Sequence, residues 1–141
     1  MTITLDLPRA QRIITFIETL RVPDGALVGQ NIMLRPWQRE IITEVYAPTW
    51  PDGRRVVRQA VMSIGKKNAK TCLVACLTLA HLCGPEAVRM GQLYSMAFDR
   101  EQAALVYKYA AAMVLMDDEL AARLNIIDSR KKIVDPISGS E

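Results

Sequence analysis

The 141-residue chain is poor in metal ligands, with one histidine, His81, and three cysteines, Cys72, Cys76 and Cys83. An odd number of thiols on one predicted helix argues against a disulfide framework and fits a reducing compartment. Cys72 and Cys76 share a helix face, but only His81 is near enough to join them. That leaves too few ligands for zinc, and buried thiols are the expectation. The chain also has little charge of either sign in excess: a net +3 is too small to require a nucleic-acid partner. Long hydrophobic runs are missing, since Cys72–Cys83 is too short to cross a bilayer. Met1–Leu7 has neither the basic start nor the apolar stretch of a secretion signal. No internal repeat or low-complexity tract is present. A soluble protein is therefore expected, either one compact domain or a piece of a larger one. Half of its residues are hydrophobic and 23% charged, as in a globular fold.

Acids are absent from one stretch in particular. Between Gly53 and Lys70 there are six cations, Arg54, Arg55, Arg58, Lys66, Lys67 and Lys70, and no Asp or Glu. Such a stretch concentrates positive potential where an anion could dock. A solvated basic strand edge would look the same in sequence.

The order of elements is read from periodicity and punctuation. Thr2–Leu7 alternates like a strand, and from Pro8 onward Ala10, Ile13, Ile14, Ile17 and Leu20 recur at helical spacing. "VPDGALVG" makes a loop. Pro36 opens a second helix expected to bury Trp37, Ile41 and Val45. "APTWPDG" (47–53) breaks the chain. Arg54–Ile64 then reads as a strand, "GKKNAKT" as a turn, and "CLVACLTLAHLC" as a helix apolar almost all round, stopped by Gly84-Pro85. Gly91–Ala97 reads as a second strand. Asp99 and Gln102 form a capping pair for a helix with the face Ala103, Val106, Ala110, Met113 and Val114. A shorter helical piece follows Asp117, and the last segment suits one short hairpin. Strand, loop, helix, strand, helix is the order of a parallel α/β sheet with flanking helices.

The turn before the apolar helix nearly spells a phosphate loop. The pattern Gly-x-x-x-x-Gly-Lys-[Ser/Thr] would place glycine at 64 and 69, where this chain has Ile64 and Ala69, while Lys70-Thr71 is in place. A loop entering a helix presents unpaired amides and a dipole to an anion. Lys70 is placed for β- and γ-phosphates and Thr71 for Mg²⁺. On spacing alone, a nucleotide site and an incidental basic turn both remain open. Ala69 is tolerated readily if its φ is negative and at about a kcal/mol if positive.

Several stretches together resemble the N-terminal ATPase region of the large terminase subunit of tailed bacteriophages. They are "RIITFIETL…PDGALVGQNIMLRPWQREII", "PDGRRVVRQAVMSIGKKNAKT" and "YSMAFDREQAALVYKYAAAMV". The resemblance implies a P-loop NTPase (RecA/ASCE-like) fold, incomplete here. Residues 1–50 would be a helical segment with an adenine-reading element, and 51–141 the first part of the ATPase core, without a nuclease domain. It implies ATP and Mg²⁺ as cofactors, held by Gly65, Lys67, Asn68, Ala69, Lys70 and Thr71, with Thr71 on the metal. Gln38 falls on the adenine-reading element, where an amide can donate and accept at once. Lys66 stands where the family usually has an arginine, alongside Lys70 as a catalytic cation, and lacks the planar fork. The implied partners are double-stranded DNA, the small terminase subunit, the portal protein and further copies in a ring, in the host cytoplasm and away from membranes.

An acidic magnesium strand is missing. "MVLMDDE" (113–119) imitates one, but it continues the helical period from Ala103 and lacks β-branched residues. Three readings follow: the ATP-binding part of a DNA-packaging motor, a non-catalytic assembly remnant of a prophage terminase, and a helicase-like ATPase fragment.

Overall fold

Local chemistry sets the helix starts. The computed structural model describes residues 2–141. Asp6 caps α1 (Leu7–Thr19), its carboxylate accepting from the Arg9 N–H at 2.9 Å. The expected face is the buried one: Ala10, Ile13, Ile14 and Ile17, with Leu20 just beyond. Of the strand expected at 2–7, only β1 (Thr4–Leu5) forms, antiparallel to β2 (Pro48–Thr49).

Helix α2 (Pro36–Tyr46) begins at the expected proline, but its buried face is Gln38, Ile42 and Tyr46. Trp37, Ile41 and Val45 are half-buried. Ile41 and Val45 border a shallow cleft against the 55–62 segment. The face is displaced by one residue: Ile42 and Tyr46 join the core, Tyr46 reaching His81, while Gln38 turns back to the Arg35 N–H. Helix α3 (Lys70–Leu82) is the hub of the fold, packed against both α1 and α4 (Arg100–Leu115). Its Leu73, Ala75, Cys76, Leu79 and Ala80 are buried. It stops where Gly84 lies so close that an added Cβ would stand 2.8 Å from Ala80 Cα. The glycine is needed for that approach and not for a left-handed turn.

Asp99 caps α4 by accepting from the Gln102 N–H at 2.8 Å. Asp117 caps α5 (Asp118–Arg123), accepting from Glu119 and Leu120. In "MVLMDDE" the apolar part completes α4 as its period implied, but the acids do not continue that helix: they begin a separate one after Met116. The expected hairpin is β3 (Asn125–Ile127) with β4 (Lys132–Val134).

The expected parallel sheet is not formed: both sheets among the described residues are two-stranded and antiparallel. Arg54–Ile64 and Gly91–Ala97 are not strands, because a strand needs a ladder partner. Arg55 makes one isolated bridge to Thr49 and Val56 donates to Pro48. Beyond that, residues 57–64 have no backbone partner among the described residues. Gly91–Ala97 has the beginning of one. Glu141 N–H donates to Gly91 O at 3.0 Å and Leu93 N–H to Glu141 O at 2.8 Å. This pair brackets Gln92 in the pattern of a parallel pairing. From Tyr94 to Phe98 the backbone has no backbone partner among the described residues, and Tyr94, Met96 and Phe98 are at 77%, 89% and 103% exposure.

Candidate nucleotide site

The site is a turn entering the buried helix α3. Ala69, the residue before the first helical turn, has φ 57° and ψ 30°, and Lys67 has φ 64°. Two left-handed residues spaced by one bend the backbone into a concave arc of the kind that gathers N–H groups. Ala69 therefore sits in the more costly of the two geometries anticipated for it. The N–H groups of residues 66–72 have no carbonyl partner among the described residues. The chain has left a row of donors open at a helix N-terminus, where the dipole favours negative charge.

Side chains hold the arc in shape. Asn68 Nδ2 donates to Gly65 O at 3.1 Å and to Lys66 O at 3.4 Å. Lys70 Nζ donates to Ile64 O at 3.0 Å, linking the helix start to the segment that leads into the loop. The Thr71 hydroxyl makes no hydrogen bond among the described residues. A cleft of about 350 Å³ opens over this surface, lined by Lys67–Cys72, by Val22–Gly25 and by Tyr109 of α4. That volume is within the range of small-molecule sites.

Of the residues singled out from sequence, Lys67, Asn68, Ala69, Lys70 and Thr71 line the cleft together. Gly65 and Lys66 lie just outside it, both exposed, and Lys66 forms no ion pair among the described residues. Gln38 is elsewhere. It is buried, and its Oε1 accepts the Arg35 N–H at 2.8 Å at the start of α2. Two parts of the cleft went unrecognised in sequence. "VPDG" shows in sequence only as part of a loop, and Tyr109 lies off the helix face Ala103, Val106, Ala110, Met113 and Val114.

The far end of α3 carries a second polar group. Tyr46 Oη and His81 Nε2 are 2.8 Å apart, and the Arg55 guanidinium lies 5.3 Å from the Tyr46 ring centre. Burial, aided by Arg55, holds the His81 pKa below its ordinary value. Beside it Arg9 clamps Glu86 with two hydrogen bonds and reaches Gly53 O. The cysteines take no part in a metal cluster among the described residues. Contact with Cys72 and burial both push the Cys76 thiol up, and burial raises Cys83 to about 11.

Residues 36–141 match the family model described as "Terminase large subunit, ATPase domain". The chain belongs to that family. The terminase large subunit of Enterobacteria phage HK97 is 42% identical over 129 residues, covering 91% of this chain and 25% of that protein. The crystal structure of the HK97 bacteriophage large terminase superposes with a TM-score of 0.80 at 39% identity, over 94% of this chain and 26% of the other. The chain thus spans about a quarter of the terminase it resembles. Among the described residues, no helix is long and apolar enough to cross a membrane.

Proposed function

We propose that this chain is the ATP-binding N-terminal part of a phage DNA-packaging motor, whose whole protein couples ATP hydrolysis to movement of double-stranded DNA into a capsid. One observation carries the reading. In a chain of the terminase ATPase family, the open amides of 67–72 line one face of a cleft with the Lys70 ammonium and a Thr71 hydroxyl unpaired among the described residues. This donor set suits a triphosphate: many N–H groups, fixed cations and no carboxylate in the loop.

The chain's own groups would act as follows. The 66–72 amides hold the phosphate oxygens in place. Lys70 exchanges Ile64 O for the β- and γ-phosphates and neutralises charge that grows there. Thr71 holds Mg²⁺, which when bound screens the phosphates and helps align the terminal one. Lys66, at the rim, supplies a second positive charge without bidentate geometry. Gly65, Lys67, Asn68 and Ala69 shape the cradle. Gln38 stays a candidate for adenine only if the start of α2 opens, because its oxygen is already committed to Arg35.

A P-loop parallel sheet would be completed by strands beside 57–64 and 93–98, and the acidic magnesium element belongs with them. On this reading the hydrolytic reaction needs more chain than these 141 residues. The DNA, the small subunit, the portal, a ring of copies and a host-cytoplasmic location belong to the same proposal. Family membership favours it over an inactive remnant or a helicase-like fragment. The test is calorimetric titration with ATP, with and without Mg²⁺. Saturable binding strengthened by Mg²⁺ and weakened about tenfold or more in Lys70→Ala supports the reading; no binding to the unmodified chain refutes it.

A further inference from the structure

The polar cluster at the far end of α3 lies apart from the phosphate loop and takes no part in holding phosphate. Five parts of the chain meet there around one imidazole. Arg9 comes from α1, Tyr46 from α2, His81 from α3, and Arg55 from the segment that runs towards the phosphate loop. Glu86, on the turn after α3, completes the charged groups around His81. The Tyr46 and His81 rings are 5.7 Å apart and tilted by 40°, with Oη and Nε2 in hydrogen-bond contact at 2.8 Å.

The two arginines are held very differently. Arg9 gives Glu86 two hydrogen bonds, at 2.7 and 3.1 Å, and a third to Gly53 O at 3.0 Å. Its side chain and that of Glu86 are only 18% and 10% exposed, so this carboxylate is already committed. Arg55 is half-buried and makes no ion pair or side-chain hydrogen bond among the described residues. Its guanidinium rests on the Tyr46 ring, 5.3 Å from the ring centre. The backbone around it is lightly fastened. Arg55 bridges Thr49, Val56 N–H donates to Pro48 O at 3.0 Å, and Trp50 N–H donates to Arg54 O at 2.8 Å. Residues 57–64 have no backbone partner among the described residues, and Arg58, Gln59, Ala60 and Val61 are exposed.

A proton on the imidazole meets resistance in this setting. Burial and then Arg55 disfavour it, Glu86 favours it, and Arg9 opposes it. Tyr46 and His81 are fixed on helices, and Arg9 is tied by three hydrogen bonds. Arg55 is the cation of this cluster able to withdraw, at the cost of one ring contact.

We propose that His81, Tyr46 and Arg55 form a proton-operated latch on the segment 54–64. With His81 neutral, Arg55 sits on the Tyr46 ring and fastens the segment to α2 and α3. With His81 charged, repulsion drives Arg55 into water and the segment lifts. The segment ends at Ile64, whose carbonyl oxygen holds Lys70, so the latch fastens the approach to the phosphate loop. The inference concerns the unliganded chain and stands apart from the nucleotide reading.

The experiment is nuclear magnetic resonance on the folded chain between pH 7 and pH 5. It follows the His81 imidazole, the Arg55 δ-methylene protons and the backbone amides. At pH 7 the Tyr46 ring current should hold the Arg55 protons upfield of their ordinary position. They are expected to return to it in step with the His81 titration. The Val56 and Trp50 amides should lose protection severalfold over the same range. The ceiling is about 25-fold, all that a group of ordinary pKa 6.5 can supply between those pH values. Amide shifts of Leu79 in α3 and Met113 in α4 should stay native. His81→Gln should leave Arg55 seated throughout. Arg55→Gln should raise the His81 midpoint, because coupling between two sites is reciprocal, and it tests the latch should His81→Gln fail to fold. Arg55 protons that stay upfield while His81 titrates, an unchanged His81 midpoint in Arg55→Gln, or the same Arg55 movement in His81→Gln overturns the inference. So does loss of the native Leu79 and Met113 shifts along with the Arg55 movement, since the chain is then unfolding as a whole.

Discussion

Lys70 Nζ donates to the carbonyl oxygen of Ile64 at 3.0 Å, so the cation of the phosphate loop rests on the loop's own backbone. A bound triphosphate has to draw it away and offer a stronger acceptor in return. Charge-assisted hydrogen bonds to phosphate are roughly twice as strong as neutral ones, so the exchange favours the ligand. Lys70→Ala is expected to weaken ATP by about tenfold or more. Far-ultraviolet circular dichroism should show unchanged helix content, because Lys70 is exposed. Unaltered ATP affinity in this variant would remove the phosphate role.

Ala69 occupies the left-handed region, at φ 57°. An L-residue there is strained by about 1–2 kcal/mol, whereas glycine is not. Glycine also loosens the unfolded chain, which offsets part of the gain. Ala69→Gly should therefore raise stability by no more than about 1 kcal/mol, read as a shift in urea midpoint. ATP affinity should rise or stay level. A clear loss of both would mean that the methyl group props the arc open.

His81 gives the fold a pH dependence. Burial, reinforced by Arg55, lowers its folded pKa below the unfolded value of 6.5. Between those two values the unfolded chain binds more protons than the folded one, so stability rises with pH across that window. The contribution is present above pH 6.5 and is lost as the pH falls through the lowered folded value. Urea midpoints should decline from pH 7 towards pH 5, and His81→Gln, which cannot titrate, should flatten that decline. An identical slope in the variant would place the dependence in another group.

Asp135 is fully buried, with Arg123 Nη2 at 2.6 Å and further hydrogen bonds from the Ile137 N–H and the Ser138 hydroxyl at 3.0 Å. Burial works to raise its pKa, but these donors outweigh it and hold the carboxylate below the ordinary range. Its stabilising effect is present above the unfolded pKa and is lost as the pH falls through the folded one. Arg123→Met leaves the carboxylate without its cation and is expected to cost about 2–3 kcal/mol. Thermal unfolding checks the size, and a change under about 0.5 kcal/mol, typical of an unremarkable surface position, would mean that the remaining donors suffice.

Helices were readable in the sequence because their ends carry their own chemistry. Pro36, Asp99 and Asp117 start helices where a cap or a first-turn proline should, and Ile13 and Ile17 face inward as their spacing requires. The α2 face was displaced by one residue, since an amphipathic stripe with Trp37 beside Gln38 leaves its orientation to the packing partner. The strands were misjudged for a different reason. Periodicity reports that a segment could pair, while pairing itself depends on a neighbour, and among the described residues none pairs with Val57–Ile64. At the site, Lys70 and Thr71 could be placed from the motif. The left-handed backbone at Ala69 could not, because a methyl side chain carries no sign of φ. Tyr109 was invisible because it reaches the cleft only once α4 packs along α3.

The pairing around Gln92 bears on the order in which this molecule assembles. Gly91 N–H donates to Ser140 Oγ across 49 residues of chain, a span that encloses α4, α5 and the β3–β4 hairpin. Each of those can form from nearby residues, whereas the Gln92 contact must wait until all of them have docked. It should be the last fastening to close during folding and the first to open. Amide hydrogen exchange at Leu93 and Glu141 should therefore run ahead of exchange in the middle of α3.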